Sequence, residues 1–311
     1  MSNSFPVPFQ KTPYRRIFKP GPAVYLGRDY PDVKYGGIYA EWVPNDHGFV
    51  FGKDGSCHIF GITHPLTPPE RVHDGEEQLF HASAPAESLT DGRPFTDRGN
   101  LFPPETRPGE NPYIHSPFLV EWDGRYRMVY GPQSFRTMES ADLEHWTSGG
   151  TLFQDPDGSS RDPHLMFHGG EWFLTYCSGQ AVKCRRSADF RHWSEPETLR
   201  SLEGIVCPES PSLFVRNEVF YLCICLWDGA EDFSSVEKSY QSRSLVYAAT
   251  SPALLPESPV LCELAAHAPE FLIYEETWLI SSAEYPERGI SVAELGWKDS
   301  SESLYSSRVK T

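Results

Sequence analysis

The stretch SPFLVEWDGRYRMVYG, residues 116–131, decides the fold because its pattern recurs along the chain. Three later segments share a Pro, a Leu or Phe two residues on, and an aromatic residue nine positions after the Pro: DPHLMFHGGEWFLTYC (162–177), SPSLFVRNEVFYLCIC (210–225) and APEFLIYEETWLISSA (268–283). The four prolines are separated by 46, 48 and 58 residues. A degenerate copy, DHGFVFGKDGSCHIFG, begins at Asp46 and has His47 in the Pro position.

Each copy is typical of a β-hairpin, since two apolar runs flank turn residues such as Asp123-Gly124 or Gly169-Gly170. Two copies continue into a second shared motif, Ser-Ala-Asp-[Leu/Phe]-x-His-Trp, at residues 140–146 and 187–193. This motif predicts a turn into an outer strand, with the Trp packed between neighbouring units. A unit of roughly 45 residues with about four short strands has the size of a propeller blade. The sequence therefore predicts an all-β, five-bladed β-propeller.

The propeller is expected to occupy residues 35–298. The Pro-rich residues 1–34 would pack on the outside or help to close the ring, and they could also exchange with a neighbouring subunit in a homo-oligomer. Residues 65–112 would contain the outer part of the first blade and a long loop. The polar residues 299–311 are expected to form a frayed tail.

The equivalent positions of the copies converge on the central channel, because the first strand of each propeller blade lines it. The two residues before each Pro position are Asn45-Asp46, His115-Ser116, Arg161-Asp162, Glu209-Ser210 and His267-Ala268. Bringing like charges together costs free energy. Capping interactions, Arg161 or a bound cation could satisfy the acids, but the pattern favours a functional site.

Glycoside hydrolysis is the chemistry that best fits acids held on separate blades. It needs one carboxylic acid to protonate the leaving oxygen and a second carboxylate as nucleophile or as base for water. A third carboxylate can tune the acid and bind sugar hydroxyls. Aromatic residues such as Trp42, Trp122 or Trp227 could stack on the apolar face of a sugar.

These segments resemble the clan of five-bladed propeller glycosidases, glycoside hydrolase families 32, 43, 68 and 117, from about residue 38 to residue 298. Residues 42–48, WVPNDHG, are similar to the Trp-x-Asn-Asp-Pro-Asn-Gly motif of family 32, with one inserted residue and His47 for Pro. Arg161-Asp162-Pro163 matches an Arg-Asp-Pro motif of the clan, and residues 209–213, ESPSL, resemble the Glu-Gly-Pro-x-Leu stretch of family 43.

The resemblance implies catalytic roles. Asp46 would be the nucleophile, as in family 32, or the general base, as in family 43. Asp162 would stabilise the transition state or bind sugar hydroxyls, and Glu209 would be the general acid, with Glu203 as the nearest competing carboxylate. Arg161 would orient a carboxylate or a sugar hydroxyl.

Similarity to family 117 implies a different acid, because the proposed general acid of that family is a histidine. Residues 45–49 and 57–62 carry this similarity, and His115 or His267 could take the role. Family 43 also has a central His near a bound cation, so a structural cation near His267 or His115 is conceivable. No cluster has zinc-ligand spacing, and we expect no required metal or cofactor. The residues expected to bind substrate are Trp42, Asn45, His115, Arg161, His164 and His267.

The charge balance excludes some classes of partner. With 27 Lys and Arg against 43 Asp and Glu, the net charge is −16. A protein that binds nucleic acid needs a cationic surface, and so does a protein that binds anionic lipid. We therefore expect neither nucleic acid nor a membrane as a partner. The longest apolar run, residues 219–227, is too short for a membrane helix.

The seven cysteines are an odd count at irregular spacing. Reduced thiols in a cytoplasmic protein are the simplest interpretation, since no signal peptide is visible. A secreted mature form also agrees with the sequence.

The leading hypothesis is a glycosidase that removes a terminal sugar from an oligosaccharide, such as an arabinoside, a fructoside or an anhydrogalactoside. Two alternatives stay open. One is a carbohydrate-binding propeller without catalysis. The other is a glycoside phosphorylase, with Arg136, Lys183 and Arg185 as candidates for a phosphate pocket.

Overall fold

The computed structural model describes residues 5–68, 74–155, 158–204, 207–227 and 243–299. Only Asp299 of the expected polar tail, 299–311, lies within the described residues. Four short strands come first: β1 (Val7–Gln10), β2 (Arg15–Phe18), β3 (Ala23–Val24) and β4 (Ile38–Tyr39). Strands β3 and β4 pair with each other in a small separate sheet.

Five antiparallel sheets then form the blades of a β-propeller, as the repeat predicts. From the inner to the outer strand, blade I has β5 (Trp42–Phe51), β6 (Ser56–Pro65), β7 (Gln78–Pro85) and β8 (Thr96–Leu101); blade II has β9 (His115–Trp122), β10 (Arg125–Gly131), β11 (Ser134–Ser140) and β12 (Trp146–Gln154); blade III has β13 (Arg161–His168), β14 (Glu171–Ser178), β15 (Ala181–Ser187) and β16 (Glu197–Ser201); blade IV has β17 (Cys207–Arg216), β18 (Val219–Trp227), β19 (Ser244–Ala249) and β20 (Val260–Leu264); and blade V has β21 (Phe271–Tyr274), β22 (Thr277–Ala283) and β23 (Ile290–Lys298). The expectation of an all-β, five-bladed β-propeller is confirmed.

Helical structure in the described ranges is short. It consists of α1 (Ser88–Asp91) and two 3₁₀ segments, Pro104–Thr106 and Pro252–Glu257. No helix within these ranges has the length and hydrophobicity needed to cross a bilayer.

The N-terminal strands complete blade V. Strand β1 pairs with β23 from Val7 opposite Lys298 onward, and β2 pairs with the other end of β23. Ile17 of β2 is fully buried and packs in one hydrophobic cluster with Leu279 and Val292. Residues near the start of the chain therefore supply the outer edge of the last blade and join the two ends of the ring.

The hairpins between the inner two strands of blades II to V share one backbone geometry. Both central residues have positive φ: Asp123-Gly124, Gly169-Gly170, Asn217-Glu218 and Glu275-Glu276. Positive φ at both positions is the geometry of a type I′ turn, whose twist matches that of the flanking strands.

The two Ser-Ala-Asp motifs adopt the same local structure. Ser140 and Ser187 accept backbone hydrogen bonds from Asp142 and Asp189 at 3.1 and 3.3 Å. Trp146 of blade II then lies edge-on to Phe60 of blade I, with ring centroids 5.5 Å apart. The Trp of this motif therefore packs between neighbouring blades, as the sequence predicts.

Candidate active site

The inner strands of blades I to IV are each bulged within one residue of the same position of the repeat. Two residues on the inner strand face a single residue of the second strand at Asn45-Asp46, Ser116-Pro117, Asp162-Pro163 and Ser210-Pro211. A bulge bends its strand and redirects the local side chains. The residues singled out by the repeat therefore lie where the inner strands change direction.

A cavity of about 240 Å³ lies where these bulges converge. Its described lining residues are Asn45, Asp46, Ile62, Glu76, His115, Arg161, Asp162, Glu209 and Trp227. The structure thus brings the carboxylates of Asp46, Asp162 and Glu209 from three different blades into one cavity. Ile62 and the half-buried Trp227 add apolar surface.

Arg161 connects two of the three carboxylates. Its Nη2 lies 2.7 Å from Oε1 of Glu209, and its Nε lies 3.5 Å from Oδ2 of Asp162. Its side chain keeps 21% of its surface exposed. The guanidinium therefore offsets part of the negative charge that the blades bring together.

Ser210 connects Asp46 and Asp162. Its backbone N–H donates to Oδ2 of Asp162 at 3.3 Å, and its hydroxyl donates to Oδ1 of Asp46. The thiol of Cys177 also donates to Oδ2 of Asp162, at 3.1 Å. Asp162 is therefore held by donors from its own blade and the next.

Burial raises the pKa of Asp46 well above the usual range of an aspartate, and the charges of Asp162 and Glu209 raise it further. The hydrogen bond from Ser210 opposes this shift. A raised pKa makes the carboxylate of Asp46 a stronger base when it is ionised. Such a group is suited to accept a proton during a reaction.

A second polar wall faces this cavity. Glu76 lies 3.1 Å from Nε2 of His115, and it accepts a hydrogen bond from Nδ2 of Asn45 at 3.3 Å. His267 is not among the described residues that line the cavity, and its Nε2 lies 2.9 Å from Oδ1 of Asn45, which does line it. Burial lowers the pKa of His267 to about 3, so its ring is neutral at ordinary pH.

Two residues that were expected to bind substrate are not among the described residues that line the cavity. Trp42 is fully buried beside Tyr25 and Val33, and its Nε1 donates to the carbonyl of Tyr39 at 2.9 Å. The expectation that Trp42 contacts substrate is therefore wrong, because packing against the N-terminal segment leaves its ring no exposed face.

His164 is the second of these residues. It is buried, with Nε2 3.0 Å from Oγ of Ser212 and its ring centroid 4.2 Å from that of Phe118. It is not among the described residues that line the cavity, so its contact with substrate stays a prediction. The competing acid Glu203 is exposed in a turn.

Two further carboxyl groups escaped the sequence prediction. Glu76 precedes β7, in the part of blade I that the repeat does not cover, and only its position in an acidic Glu-Glu pair before an apolar strand could have marked it. Glu270 directly follows Pro269, and His164 contacts both of the other equivalent residues, Phe118 and Ser212. Burial and the charge of Asp46 raise the pKa of Glu270.

The residues near the channel do not fit the cation that the resemblance to family 43 implies. Both ring nitrogens of His267 already have partners, Asn45 and, at 3.4 Å, the thiol of Cys225. Nε2 of His115 faces Glu76. Among the described residues, no group of three or more His, Cys, Asp or Glu side chains could hold a metal ion.

No family model matches the sequence. No curated protein matches it either. Solved structures do match: an exo-1,5-alpha-L-arabinanase from a bovine ruminal metagenomic library has 15% identity and a TM-score of 0.57, with 83% of this chain and 93% of that chain covered.

Two other solved structures are similar. A GH43 endo-arabinanase from Bacillus licheniformis has 14% identity and a TM-score of 0.57, with 83% and 93% covered. A GH43_1 enzyme from Xanthomonas citri in complex with xylose has 12% identity and a TM-score of 0.60, with 82% and 87% covered. At these identities the similarity concerns the fold, and the expected resemblance to five-bladed propeller glycosidases is confirmed at that level.

Proposed function

We propose that this protein is a glycoside hydrolase that removes a terminal sugar from an oligosaccharide or a small glycoside. The observation that carries the proposal is the meeting of Asp46, Asp162 and Glu209 from three blades in one cavity of about 240 Å³. Glycoside hydrolysis needs two carboxyl groups on rigid supports on either side of the scissile bond. Separate blades of a propeller provide such supports.

In the proposed mechanism, Glu209 protonates the leaving oxygen. Asp46, whose pKa burial raises, activates a water molecule or attacks the sugar directly. Asp162 stabilises the positive charge that develops on the sugar ring, since its carboxylate is fixed by Ser210 and Cys177. Arg161 orients Glu209 through their 2.7 Å contact.

The ion pair between Arg161 and Glu209 supports the reverse division of roles as a second candidate. A guanidinium at 2.7 Å favours the ionised form of Glu209, and burial favours the protonated form of Asp46. In that division, Asp46 donates the proton and Glu209 acts on the opposite side of the sugar.

The size and charge of the cavity support a small neutral substrate. Pockets for drug-sized ligands are about 300–1,000 Å³, so a cavity of about 240 Å³ suits one terminal sugar unit. Four carboxyl groups line it, and Arg161 is already engaged by two of them. A sugar that carries a carboxylate or a sulfate would be repelled.

We place terminal α-L-arabinofuranosides first among the substrates, with fructosides and anhydrogalactosides next. The arabinanase names of structures with the same fold support this order. The test is hydrolysis of a panel of aryl glycosides and natural oligosaccharides by the wild-type protein and by Asp46→Asn and Glu209→Gln. Acid–base groups contribute about 10²–10⁴-fold, so each variant should lose activity by that factor while its thermal unfolding stays cooperative.

The same variants separate the two roles. A substrate with a good leaving group, such as a 2,4-dinitrophenyl glycoside, needs no protonation, so the variant that lacks the general acid should recover on it. Recovery of Glu209→Gln supports the first assignment, and recovery of Asp46→Asn supports the reverse. Near-normal turnover by either variant on natural oligosaccharides would contradict the proposal.

The alternatives have less support. A carbohydrate-binding propeller would bind sugars by calorimetry and hydrolyse none of the panel. The cations considered for a phosphorylase are occupied: Arg136 lies 3.6 Å from Glu110, Lys183 lies 3.7 Å from Asp155, and Arg185 donates to the carbonyl of Ser194 at 2.6 Å. None of the three is among the described residues that line the cavity.

A further inference from the structure

A network of polar contacts reaches the cavity at Asn45, Glu76 and His115. Hydrogen bonds run from Cys225 in blade IV to His267 before blade V, then to Asn45 and Glu76 in blade I, and the carboxylate of Glu76 lies 3.1 Å from Nε2 of His115 in blade II. Four of the five blades therefore meet in one network.

The chain has one consistent direction. The amide of Asn45 donates through Nδ2 to Oε1 of Glu76, so its Oδ1 accepts from Nε2–H of His267. Nδ1 of His267 then accepts from the thiol of Cys225 at 3.4 Å. On the other side, Oε2 of Glu76 lies 3.1 Å from Nε2 of His115, a close contact without the geometry of a hydrogen bond. The hydrogen bonds from Cys225 to Asn45 thus all point toward Glu76, and His115 lies against its other oxygen.

Burying a carboxylate costs free energy unless its partners compensate, and the neighbouring Glu77 shows the ordinary structural use. Glu77 is fully buried and accepts from Nε of Arg28 at 2.6 Å and from the hydroxyl of Tyr30 at 2.7 Å, which fixes the N-terminal segment. Glu76 is only 2% exposed, yet it contacts Asn45 and His115, which both line the cavity. Two adjacent glutamates therefore serve different partners.

We propose that Glu76 is a positioning residue of the proposed active site, which holds Asn45 and His115 so that this wall binds one hydroxyl group of the terminal sugar. The inference rests on the proposed function and deepens it by assigning sugar specificity to this wall. Asp46, Asp162 and Glu209 serve the bond that breaks, whereas the wall held by Glu76 selects the sugar.

The test measures whether the effect of replacing Glu76 on kcat/KM depends on the presence of one particular hydroxyl group of the substrate. The substrates are 4-nitrophenyl α-L-arabinofuranoside and its 2-, 3- and 5-deoxy analogues. Glu76→Gln keeps the shape of the side chain but turns one acceptor oxygen into a donor. Losing a hydrogen bond to a charged group should lower kcat/KM on the parent glycoside by about 10- to 100-fold, mainly through KM, because the hydroxyl is bound before and during the reaction.

On one deoxy analogue this penalty should nearly vanish, because the wild-type protein has already lost the same contact. Glu77→Gln is the matched control, since it makes the same substitution at a buried neighbour that does not line the cavity. It should leave the ratio between parent and deoxy substrates unchanged. An equal penalty for Glu76→Gln on all four substrates would overturn the proposal.

Asn45→Ala provides a second route if Glu76→Gln does not fold, and it should show the same dependence on the same hydroxyl. If the wild-type protein hydrolyses none of the four glycosides, α-L-arabinofuranosides are not its substrates, and the panel of other glycosides decides the proposed function. The inference is then decided by calorimetry with L-arabinose and its deoxy analogues. Equal affinity of wild-type protein and Glu76→Gln, or no binding by either, would reject it.

Discussion

Replacing Ser210 with Ala should remove one hydrogen bond from Asp46 and leave the rest of the site in place. The hydroxyl of Ser210 donates to Asp46, whereas its backbone N–H donates to Asp162 at 3.3 Å. Alanine keeps that N–H and also keeps a Cβ at a residue whose φ is +45°. The substitution therefore isolates the contact to Asp46.

That contact stabilises the ionised form of Asp46 and so lowers its pKa against the effect of burial. Hydrogen bonds to charged groups contribute about 1.5–3 kcal/mol, which corresponds to about 10- to 100-fold in an equilibrium constant. If Asp46 is the base or nucleophile, it must be ionised. On the acidic limb of the pH profile, kcat/KM of Ser210→Ala should then be about 10- to 100-fold below the wild-type value, and the two should converge at higher pH.

The assay is the full pH profile of kcat/KM on an aryl glycoside. Ser212→Ala is the control, because Ser212 lies two residues further along β17 and its hydroxyl contacts His164 at 3.0 Å instead. A shift of the alkaline limb instead of the acidic limb would assign the proton donor to Asp46 and reverse the roles. If both limbs of Ser210→Ala superimpose on the wild-type profile, Asp46 is not the titrating group and the reasoning is refuted.

Two further predictions concern stability. Burial raises the pKa of Glu284 from 4.5 to about 7, so its contribution to stability is complete below pH 4.5 and is lost as the pH rises through about 7. The free energy of unfolding by urea, measured for the wild-type protein relative to Glu284→Gln, should fall by about 2–3 kcal/mol between pH 4.5 and pH 8. A difference that stays constant with pH would contradict this. Trp42→Ala should lower the free energy of unfolding by about 3–5 kcal/mol and leave KM unchanged below the melting temperature of the variant. A raised KM with unchanged stability would instead show that Trp42 contacts the substrate.

The fold could be predicted because the repeat carries both the blade period and the turn chemistry. Asp123-Gly124 and Gly169-Gly170 are residues that favour positive φ. Asn217-Glu218 and Glu275-Glu276 adopt the same turn with weaker local signals. Pairing of the flanking strands imposes the type I′ geometry there, so the repeat predicts these hairpins better than their turn residues do.

Parts of the site were beyond sequence reasoning for a physical reason. The side chain of Trp42 is covered by Tyr25 and Val33, and no repeat or motif connects those residues to it. Glu76 reaches the cavity from a segment outside the repeat. Tertiary contacts between distant segments decide both positions, whereas Asp46, Asp162 and Glu209 lie one or two residues before the Pro position of their repeats and meet where the inner strands converge.

The backbone at this phase explains why no single motif could have located the cavity. Asp162, Ser210 and Ala268 occupy equivalent positions and have φ of +57°, +45° and +45°, a region that costs a residue with a Cβ about 1–2 kcal/mol. Asp162 lines the cavity and Ser210 donates to Asp46, but Ala268 has no polar side-chain group. Its strain therefore comes from the geometry that the inner strands of blades III to V share and not from local chemistry. The same position can carry a carboxylate in blade III, its hydrogen-bond donor in blade IV and a methyl group in blade V.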